Sequence, residues 1–291
     1  MSERVVVLTG GTSGIGRRAA RELAADGATV AVVGRDADRG ESLATAVERD
    51  GGDGGVAFHR ADLAETSTVR SLAADLRSSH DRIDALVHNA GLSAHERTET
   101  ADGIELTLAV NHLAPYLLTR ELYDALAATP GGARVVVTAS GLHRRETLDF
   151  DDLGREGAYD PVAAYARSKL ANVAFTLELA ARIPPDHDVT ANCFTPGLVP
   201  STRLFRDAPL RTRLAVRLAG VVPGVASSEA EGARRLRSLV TDPRYGEQSG
   251  LYVGDDGPEQ PSDEASDPAV RERLWNASAD LVGVDPDWPT A

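Results

Sequence analysis

The sequence has few cysteines and no long apolar segment, the features that would indicate an oxidising compartment or a membrane. Among its 291 residues there is one cysteine, Cys193, so no intramolecular disulfide can form. The N-terminus has no apolar segment of the kind found in secretory signal peptides. No stretch comes close to the roughly 18 apolar residues that a membrane-spanning helix needs, and the nearest, residues 214–226, is interrupted by Arg217. We therefore expect a soluble, cytoplasmic protein without stable membrane insertion.

Basic residues are also in short supply. The chain has 44 acidic and 31 basic residues, and its net charge of -13 argues against nucleic acid as a partner, because phosphate backbones bind clustered positive charge. Only one of the basic residues, Lys169, is a lysine, and the others are arginines. An acidic, lysine-poor surface suggests a halophilic source, where high salt screens the repulsion. GC-rich coding would produce the same arginine bias, so both explanations stay open.

Metal-ligating patterns are missing as well. The seven histidines show no ligand spacing, and the single cysteine argues against a structural zinc site, so no metal is predicted. His143, three residues beyond Ser140, has two interpretations. It lines a substrate cleft, or it has an ordinary role in a loop.

Seven apolar segments of strand length alternate with helical patterns along the chain. They cover residues 4–9, 29–34, 56–60, 83–88, 134–139, 189–194 and 251–253. Strands that alternate with helices pair in parallel through helical crossovers, and continuous runs of Val, Ile, Leu and Ala indicate strands covered on both faces. The pattern predicts an α/β fold of the Rossmann type, with a doubly wound parallel sheet of about seven strands flanked by helices.

Two stretches lie outside this alternation. The first, residues 198–228, has leucines at helical spacing with arginines beside them, and is predicted to be an amphipathic lid over an apolar substrate pocket. The alternative is a basic patch for an anionic substrate tail or an acidic membrane surface. The second, residues 254–268, carries six acidic residues and no basic one, which predicts a solvated linker. We expect a single domain over residues 1–254 and an acidic C-terminal extension with a short helix over residues 255–291.

A glycine-rich turn, T-G-G-T-S-G-I-G, occupies residues 9–16 between the first predicted strand and a predicted helix. Glycines let backbone amides approach a pyrophosphate, and a helix N-terminus offers unpaired N–H donors. The turn predicts a dinucleotide site, although the same pattern also serves as a tight turn without a ligand. The residues predicted to contact the dinucleotide there are Gly10, Thr12, Ser13, Gly14, Ile15 and Gly16.

The end of the second predicted strand selects between NAD and NADP, because it faces the adenosine ribose. It reads Gly34-Arg35, with no carboxylate to accept the ribose 2′-hydroxyl. Gly34 leaves space, and Arg35 offers a guanidinium fork for a 2′-phosphate. NADP, or NADPH, is therefore predicted as the cofactor in preference to NAD.

Tyr165 and Lys169 lie four residues apart in a predicted helix and so share one face. A tyrosine works as an acid or base near neutral pH only if its pKa, about 10 in solution, is lowered, and the Lys169 ammonium is the expected cause. Ser140, at the end of the fifth predicted strand, can donate a hydrogen bond to a substrate oxygen, although such serines more often cap helices. Asn111 lies within a predicted helix, where a short amide is a poor helix former and is either functional or exposed.

Together, Asn111, Ser140, Tyr165 and Lys169 resemble the Asn-Ser-Tyr-Lys tetrad of the short-chain dehydrogenases/reductases, and residues 9–16 are similar to that family's glycine turn. The resemblance covers roughly residues 4 to 253. It implies that Asn111 positions a water linking Lys169 to solvent, and that a homo-oligomer forms. It also implies cofactor contacts at Asp62, Leu63, Asn89, Ala90, Gly91, Tyr165, Lys169, Pro196, Gly197, Val199 and Ser201.

Residues 165–179, YARSKLANVAFTLEL, and residues 111–119, NHLAPYLLT, resemble a subgroup that contains retinol dehydrogenases, the WW-domain oxidoreductase and protochlorophyllide reductase. The 25 positions between Ser140 and Tyr165 also suit that subgroup. The resemblance implies an NADP(H)-dependent oxidoreductase that interconverts a small lipophilic aldehyde or ketone and an alcohol. The alternative is a catalytically idle NADP-binding or sensing protein of the same fold.

Overall fold

A sheet of eight strands forms the centre of the computed structural model, which describes residues 4–197, 199 and 227–290. The strands are β1 (Val5–Thr9), β2 (Thr29–Gly34), β3 (Gly55–Arg60), β4 (Ala85–His88), β5 (Ala133–Thr138), β6 (Val189–Phe194), β7 (Tyr252–Val253) and β8 (Pro258–Glu259). Their order is β3-β2-β1-β4-β5-β6-β7-β8. The first seven pair in parallel, and β8 runs antiparallel to β7. The direction of winding reverses between β1 and β4, the point where doubly wound sheets bind ligands.

Helices cover both faces of this sheet. They are α1 (Gly14–Ala25), α2 (Ala37–Asp50), α3 (Thr66–Ser79), α4 (Leu106–Leu108), α5 (Ala114–Ala127), α6 (Pro161–Arg182), α7 (Glu229–Thr241), α8 (Asp263–Ser266) and α9 (Pro268–Val282). A π-helical turn, Ala109–Leu113, joins α4 to α5, and 3-10 turns, Gly141–Arg145 and Pro243–Tyr245, follow β5 and α7. Local sequence sets these boundaries. At the start of α6, for example, the Asp160 side chain accepts a hydrogen bond from the Ala163 N–H at 2.8 Å.

The core has two halves, one on each face of the sheet. Successive residues of a strand point to opposite faces, so Val7 packs in one apolar cluster while Val6 and Leu8 pack in the other. The first cluster is covered by α3, α5, α6 and α9, and the second by α1, α2 and α7. Burial on both faces explains why the strands are continuous apolar runs.

The predicted doubly wound α/β sheet is confirmed, and the ends of the predicted strands agree with the structure to within two residues. The count of about seven strands is one short. The additional strand, β8, has only two residues, Pro258 and Glu259, and both are exposed, so it leaves no apolar signal in the sequence. This strand and α8 lie within residues 254–268, which therefore hold more regular structure than the solvated linker that their acidity predicts.

The C-terminal residues pack against the rest of the fold. Trp275, in α9, is 1% exposed and belongs to the same apolar cluster as α5 and α6. Farther along, the Trp288 Nε1 donates a hydrogen bond to the hydroxyl of Tyr116 at 2.9 Å. The helix here has 15 residues, so it is longer than the short helix that the sequence predicts. The lid predicted over residues 198–228 falls almost entirely on residues 198 and 200–226, which lie outside the described part of the chain.

Candidate active site

A cleft with a volume of about 830 Å³ opens at the carboxyl ends of the parallel strands. Its walls come from the segments that follow β1 to β6, and they bring together nearly all the residues that the sequence singled out. The predicted residues that line the cleft are Gly10, Thr12, Ser13, Gly14, Ile15, Gly16, Arg35, Asp62, Leu63, Asn89, Ala90, Gly91, Ser140, Tyr165, Lys169, Pro196, Gly197 and Val199. Asn111 lies behind the wall, next to Val110, which does line it. Ser201 lies outside the described residues.

The glycine turn after β1 is packed too closely for side chains. Gly10 has a φ of +68°, and a Cβ there would lie 2.7 Å from the Cα of Ala90. A Cβ at Gly16 would lie 2.3 Å from the carbonyl oxygen of Gly10. Helix α1 starts at Gly14 with no side-chain capping bond, so the amides of its first turn have no side-chain acceptor. These residues therefore fit the pyrophosphate of a dinucleotide.

Polar contacts hold the two walls of the cleft together beneath this turn. The Thr9 Oγ1 accepts hydrogen bonds from the backbone N–H groups of Asn89 and Ala90, at 3.0 and 3.1 Å. The Asn89 Nδ2 in turn donates to the carbonyl oxygen of Gly10 at 3.2 Å. The segment after β4 is therefore fixed against the glycine turn before any ligand binds.

Two arginines stand at the end of β2, where the sequence predicted one. Arg35 is more than half exposed, and its Nη1 lies 3.8 Å from Asp62 Oδ2. Arg39, one helical turn farther on, also lines the cleft, and its Nε lies 2.9 Å from Asp36 Oδ2. Exposed ion pairs of this kind contribute little to stability and exchange readily for another anion. Arg39 lies in the first turn of α2, directly after the end of β2, and this position was the signal in the sequence that it belongs to the site.

Helix α6 carries Tyr165 and Lys169 into the cleft, where both are almost fully buried, at 8% and 2% exposure. The Lys169 Nζ donates a hydrogen bond to the carbonyl oxygen of Thr138 at 2.9 Å and lies 5.6 Å from the centre of the Tyr165 ring. Burial lowers the pKa of Lys169 to about 8, because the charged ammonium has lost most of its hydration.

The pKa of Tyr165 moves in the direction opposite to the prediction. Burial raises the pKa of Tyr165 to about 12, and a hydrogen bond with Ser140 opposes this only in part. The predicted lowering of the Tyr165 pKa by Lys169 is therefore wrong for the protein on its own. The reason is that burial removes the Tyr165 hydroxyl from water, which raises its pKa by more than the hydrogen bond with Ser140 lowers it.

Ser140 follows β5 and caps the 3-10 turn Gly141–Arg145. Its Oγ accepts a hydrogen bond from the Leu142 N–H at 3.2 Å, which leaves the hydroxyl proton free to be donated. His143, in the same turn, is fully buried and does not line the cleft, so the interpretation that places it there is wrong. It contacts the carbonyl oxygen of Ser140 instead, at 2.8 Å.

Asn111 lies in the π-helical turn Ala109–Leu113 and is fully buried, which excludes the exposed amide. Its Oδ1 accepts from the Leu92 N–H at 2.8 Å, and its Nδ2 donates to the Leu92 carbonyl and the Ser168 Oγ, both at 2.9 Å. The side chain thus ties the segment after β4 to α6, directly behind Lys169. Both amide N–H donors are used, so the water-positioning role implied by the resemblance stays a prediction.

The remaining wall of the cleft is largely apolar. Leu92, Val110, Leu142 and Val199 line it on the side of Ser140 and Tyr165. Sequence reasoning missed the first three, because apolar residues near strand ends are indistinguishable from core residues. Such a wall suits a substrate with a hydrocarbon body.

Within residues 4–197, 199 and 227–290, no group of three or more His, Cys, Asp or Glu side chains is arranged to hold a metal ion. None of the helices in the same part of the chain is both long enough and apolar enough to cross a bilayer.

The fold and the site define a nucleotide-binding oxidoreductase, and comparison with known proteins identifies its family. A family model described as short chain dehydrogenase matches residues 4–211, and the chain belongs to this family. Within the family it resembles the retinol dehydrogenase subgroup. Mouse retinol dehydrogenase 14 is 36% identical over 296 residues, which cover 98% of this chain and 87% of the relative. Mouse polyprenol dehydrogenase is 38% identical over 284 residues, 96% of this chain and 84% of the relative.

A solved structure of a related protein contains a nicotinamide cofactor. It is a blue fluorescent protein from a metagenomic library in complex with NADPH, with 27% sequence identity and a TM-score of 0.66. The match covers 88% of this chain and 96% of that one. The likeness therefore extends over most of both chains.

Proposed function

We propose that this protein is an NADP(H)-dependent oxidoreductase that interconverts a lipophilic aldehyde or ketone and the corresponding alcohol, with Tyr165 as the acid/base. The observation that carries the proposal is the pair of hydroxyls on Tyr165 and Ser140. The two hydroxyls interact with each other at the wall of the cleft. Tyr165 lies one turn of α6 before the buried Lys169.

Each group in this cluster has a role that follows from its chemistry. Bound NADPH supplies a hydride to the carbonyl carbon of the substrate. The Ser140 and Tyr165 hydroxyls hold the carbonyl oxygen, and Tyr165 gives it a proton. The positive charge of Lys169 stabilises the phenolate that remains. Asn111 fixes the backbone behind Lys169 through Leu92 and Ser168.

The Tyr165 pKa affects the rate of the reaction in each direction. A phenol with a pKa of about 12 is protonated near neutral pH, which is the form needed to protonate an alkoxide. Near neutral pH the protein on its own is therefore in the protonation state that carbonyl reduction uses. Oxidation of an alcohol needs the phenolate and is expected to rise with pH.

The preference for NADP rests on the adenosine end of the cleft. Arg35 and Arg39 both line it, and the two guanidinium groups suit a 2′-phosphate dianion. The related structure in complex with NADPH supports the same choice. A preference for NAD is the less favoured alternative, because the carboxylates near this end are paired with the arginines.

The substrate class rests on the apolar wall and on the relatives. Leu92, Val110 and Leu142 offer hydrocarbon contact but no charged partner. The relatives reported above are named for polyprenol and retinol, both of which are lipophilic alcohols. We therefore propose a substrate with a long apolar body and a terminal or near-terminal carbonyl.

Replacing Tyr165 by phenylalanine tests the proposal. Removal of the hydroxyl should reduce kcat for NADPH-dependent reduction of a panel of lipophilic aldehydes by about 10³-fold, while the Kd for NADPH changes less than about threefold. Tyr245→Phe is the matched control, because Tyr245 is equally buried but outside the cleft. Turnover that survives in Tyr165→Phe would reject the mechanism. Tight NADPH binding by the unaltered protein without turnover of any aldehyde would favour the idle, sensing alternative.

A further inference from the structure

The turn that carries Ser140 is held from behind by the C-terminal part of the chain. Arg144, in this turn, donates a hydrogen bond to the carbonyl oxygen of Gln260. The Leu148 N–H, just beyond the turn, donates to Glu264 Oε1 at 3.0 Å. Residues 260–264 follow β8 and line no part of the cleft. They therefore contact the catalytic turn without lining the cleft.

His143 is the central contact between the two segments. Its Nδ1 lies 2.8 Å from the carbonyl oxygen of Ser140, and its Nε2 lies 3.1 Å from the backbone nitrogen of Ser262. A carbonyl oxygen can only accept, so Nδ1 carries the proton, and Nε2 accepts from the Ser262 N–H. The ring is fully buried and packs against Tyr252, with centroids 4.8 Å apart. Both nitrogens of a neutral imidazole are satisfied, which fixes the orientation of the ring.

We propose that His143 is a positioning residue for Ser140, and that its orientation is set by the backbone N–H of Ser262. The inference rests on the proposed function, because it assumes that the Ser140 hydroxyl holds the substrate oxygen. His143 touches neither the cleft nor the substrate. It acts by fixing the carbonyl of Ser140, and with it the backbone from which the catalytic hydroxyl projects.

The geometry explains why such a contact affects rate. Ser140 is joined to β5 on one side, and on the other it enters a short 3-10 turn in which the His143 N–H also donates to the Ser140 carbonyl, at 3.1 Å, so the imidazole is a second donor to that oxygen. A displacement of about 1 Å at a catalytic group can cost about 10²-fold in rate. Loss of one buried hydrogen bond that sets such a position is expected to lower kcat by about tenfold.

Proline at position 262 replaces the relevant N–H by a ring carbon that points at His143 Nε2, so it both removes the hydrogen bond and displaces the imidazole from the Ser140 carbonyl. Ser262 has a φ of -68°, which proline adopts without strain. Its Oγ also caps α8 by accepting from the Ala265 N–H, so Ser262→Ala is the reference, because alanine loses the same cap but keeps the N–H. We expect kcat of Ser262→Pro to be about tenfold below that of Ser262→Ala, with equal KM for NADPH. Equal kcat in the two variants overturns the proposal.

Substitutions of His143 separate its two bonds. Asparagine places an amide near the Nδ1 position and can still donate to the Ser140 carbonyl, whereas glutamine reaches the Nε2 position only. We expect His143→Asn, which keeps the donor to Ser140 but loses the bond from Ser262, to lower kcat by only about threefold, and His143→Gln, which loses the donor, to lower it by about tenfold, with the melting temperatures of the two variants similar. An equal loss in both variants, accompanied by equal falls in melting temperature, means a role in packing alone and overturns the proposal.

Combination with Ser140→Ala distinguishes the failure of this inference from that of the proposed function. If Ser140 acts as proposed, Ser140→Ala lowers kcat strongly, and adding His143→Gln to it has no further effect. An additive further loss shows that His143 acts elsewhere and overturns the inference while the role of Ser140 stands. Full activity of Ser140→Ala overturns the proposed function itself.

Discussion

Lys169 is a buried cation, and the burial that places it in the site also destabilises the fold. Its pKa of about 8 lies below the ordinary value of 10.5, so the folded chain binds a proton there less tightly than the unfolded chain does. Below about pH 8 the lysine is charged in both states, and the full cost of burying the charge is present. Between about pH 8 and 10.5 the folded state gives up this proton first, so the free energy of unfolding rises with pH.

Replacing Lys169 by methionine should therefore stabilise the protein while abolishing turnover. We expect the free energy of unfolding to rise by about 2 kcal/mol at pH 7, since each unit of pKa shift corresponds to about 1.4 kcal/mol and the Thr138 carbonyl loses its donor. Urea unfolding of both proteins at several pH values measures this. The difference should shrink between about pH 8 and 10.5; a variant that is less stable at pH 7 would contradict the argument.

At the other end of the cleft, Arg35 and Arg39 should together select the cofactor. Arg35→Ala is expected to raise the Kd for NADPH by about 10- to 100-fold, the value of a hydrogen bond between charged groups, and to leave the Kd for NADH nearly unchanged. Arg39→Ala should have a smaller effect in the same direction. Calorimetry with both nucleotides measures these constants, with Arg18→Ala, an exposed arginine outside the cleft, as the control. Equal losses for NADPH and NADH would refute the assignment.

The sequence predicts residues well when their chemistry is tied to local spacing. Tyr165 and Lys169 were found because four positions on a helix is one turn. The contact that holds Lys169 was not predicted, because it is made with a backbone carbonyl, that of Thr138, which has no signature in a sequence. The direction of the change in the Tyr165 pKa was not predicted for a related reason, because the depth of burial is a property of the tertiary structure.

Among the helices and strands, α9 is the one whose packing against the core the sequence did not predict. Its Trp275 stacks on Phe175 of α6, with ring centroids 5.9 Å apart, and the Trp275 Nε1 donates to the Pro286 carbonyl at 2.9 Å. The strands were predicted because each is an uninterrupted apolar run. The acidic segment before α9 gives no indication that the chain returns to the core. The helix on which a tryptophan packs depends on contacts between segments far apart in sequence.

Trp275→Ala should destabilise the protein by about 3 to 5 kcal/mol, the usual effect of removing a large aromatic side chain from a core. Leu281→Ala, in the same helix, is the control, because Leu281 is 42% exposed and should change stability by less than about 0.5 kcal/mol. Urea unfolding compares the two variants. Equal effects would show that α9 is not an integral part of the cooperative core.

On the scale of the whole molecule, the net charge of -13 is the dominant electrostatic feature. Local ion pairs such as Arg18–Glu22, which is 31% to 54% exposed, are each worth at most about 1 kcal/mol. The repulsion among the excess acids acts over the entire surface and is screened by salt. Salt should therefore stabilise the fold, as proposed for a halophilic source.

The melting temperature is expected to rise by several degrees between about 0.1 and 2 M KCl. Betaine at matched osmolality is the control, because it is excluded from protein surfaces without screening charge. A melting temperature that falls with KCl, or that rises equally in betaine, would leave GC-rich coding as the explanation of the arginine bias.

The class of the molecule was accessible from the sequence, because the glycine turn, the end of β2 and the Tyr165-Lys169 pair are each short and contiguous. The link between residues 260–264 and the turn after β5 was not, since it joins segments more than 100 positions apart through a histidine and backbone atoms. Motifs thus locate a site, while the contacts that hold it in place come from the complete fold.

The burial of the chain's only lysine has a practical consequence for chemical labelling. Reagents that acylate or sulfonylate amines have a single side-chain target in this sequence, Lys169, which lines the cleft, and the α-amine at the N-terminus is the other amine that they modify. A pKa of about 8 leaves a nucleophilic fraction of that amine at neutral pH, so a reagent small enough to enter would act as a stoichiometric active-site titrant. Loss of labelling upon addition of nucleotide would then report cleft occupancy by mass spectrometry, with no surface lysine to contribute background.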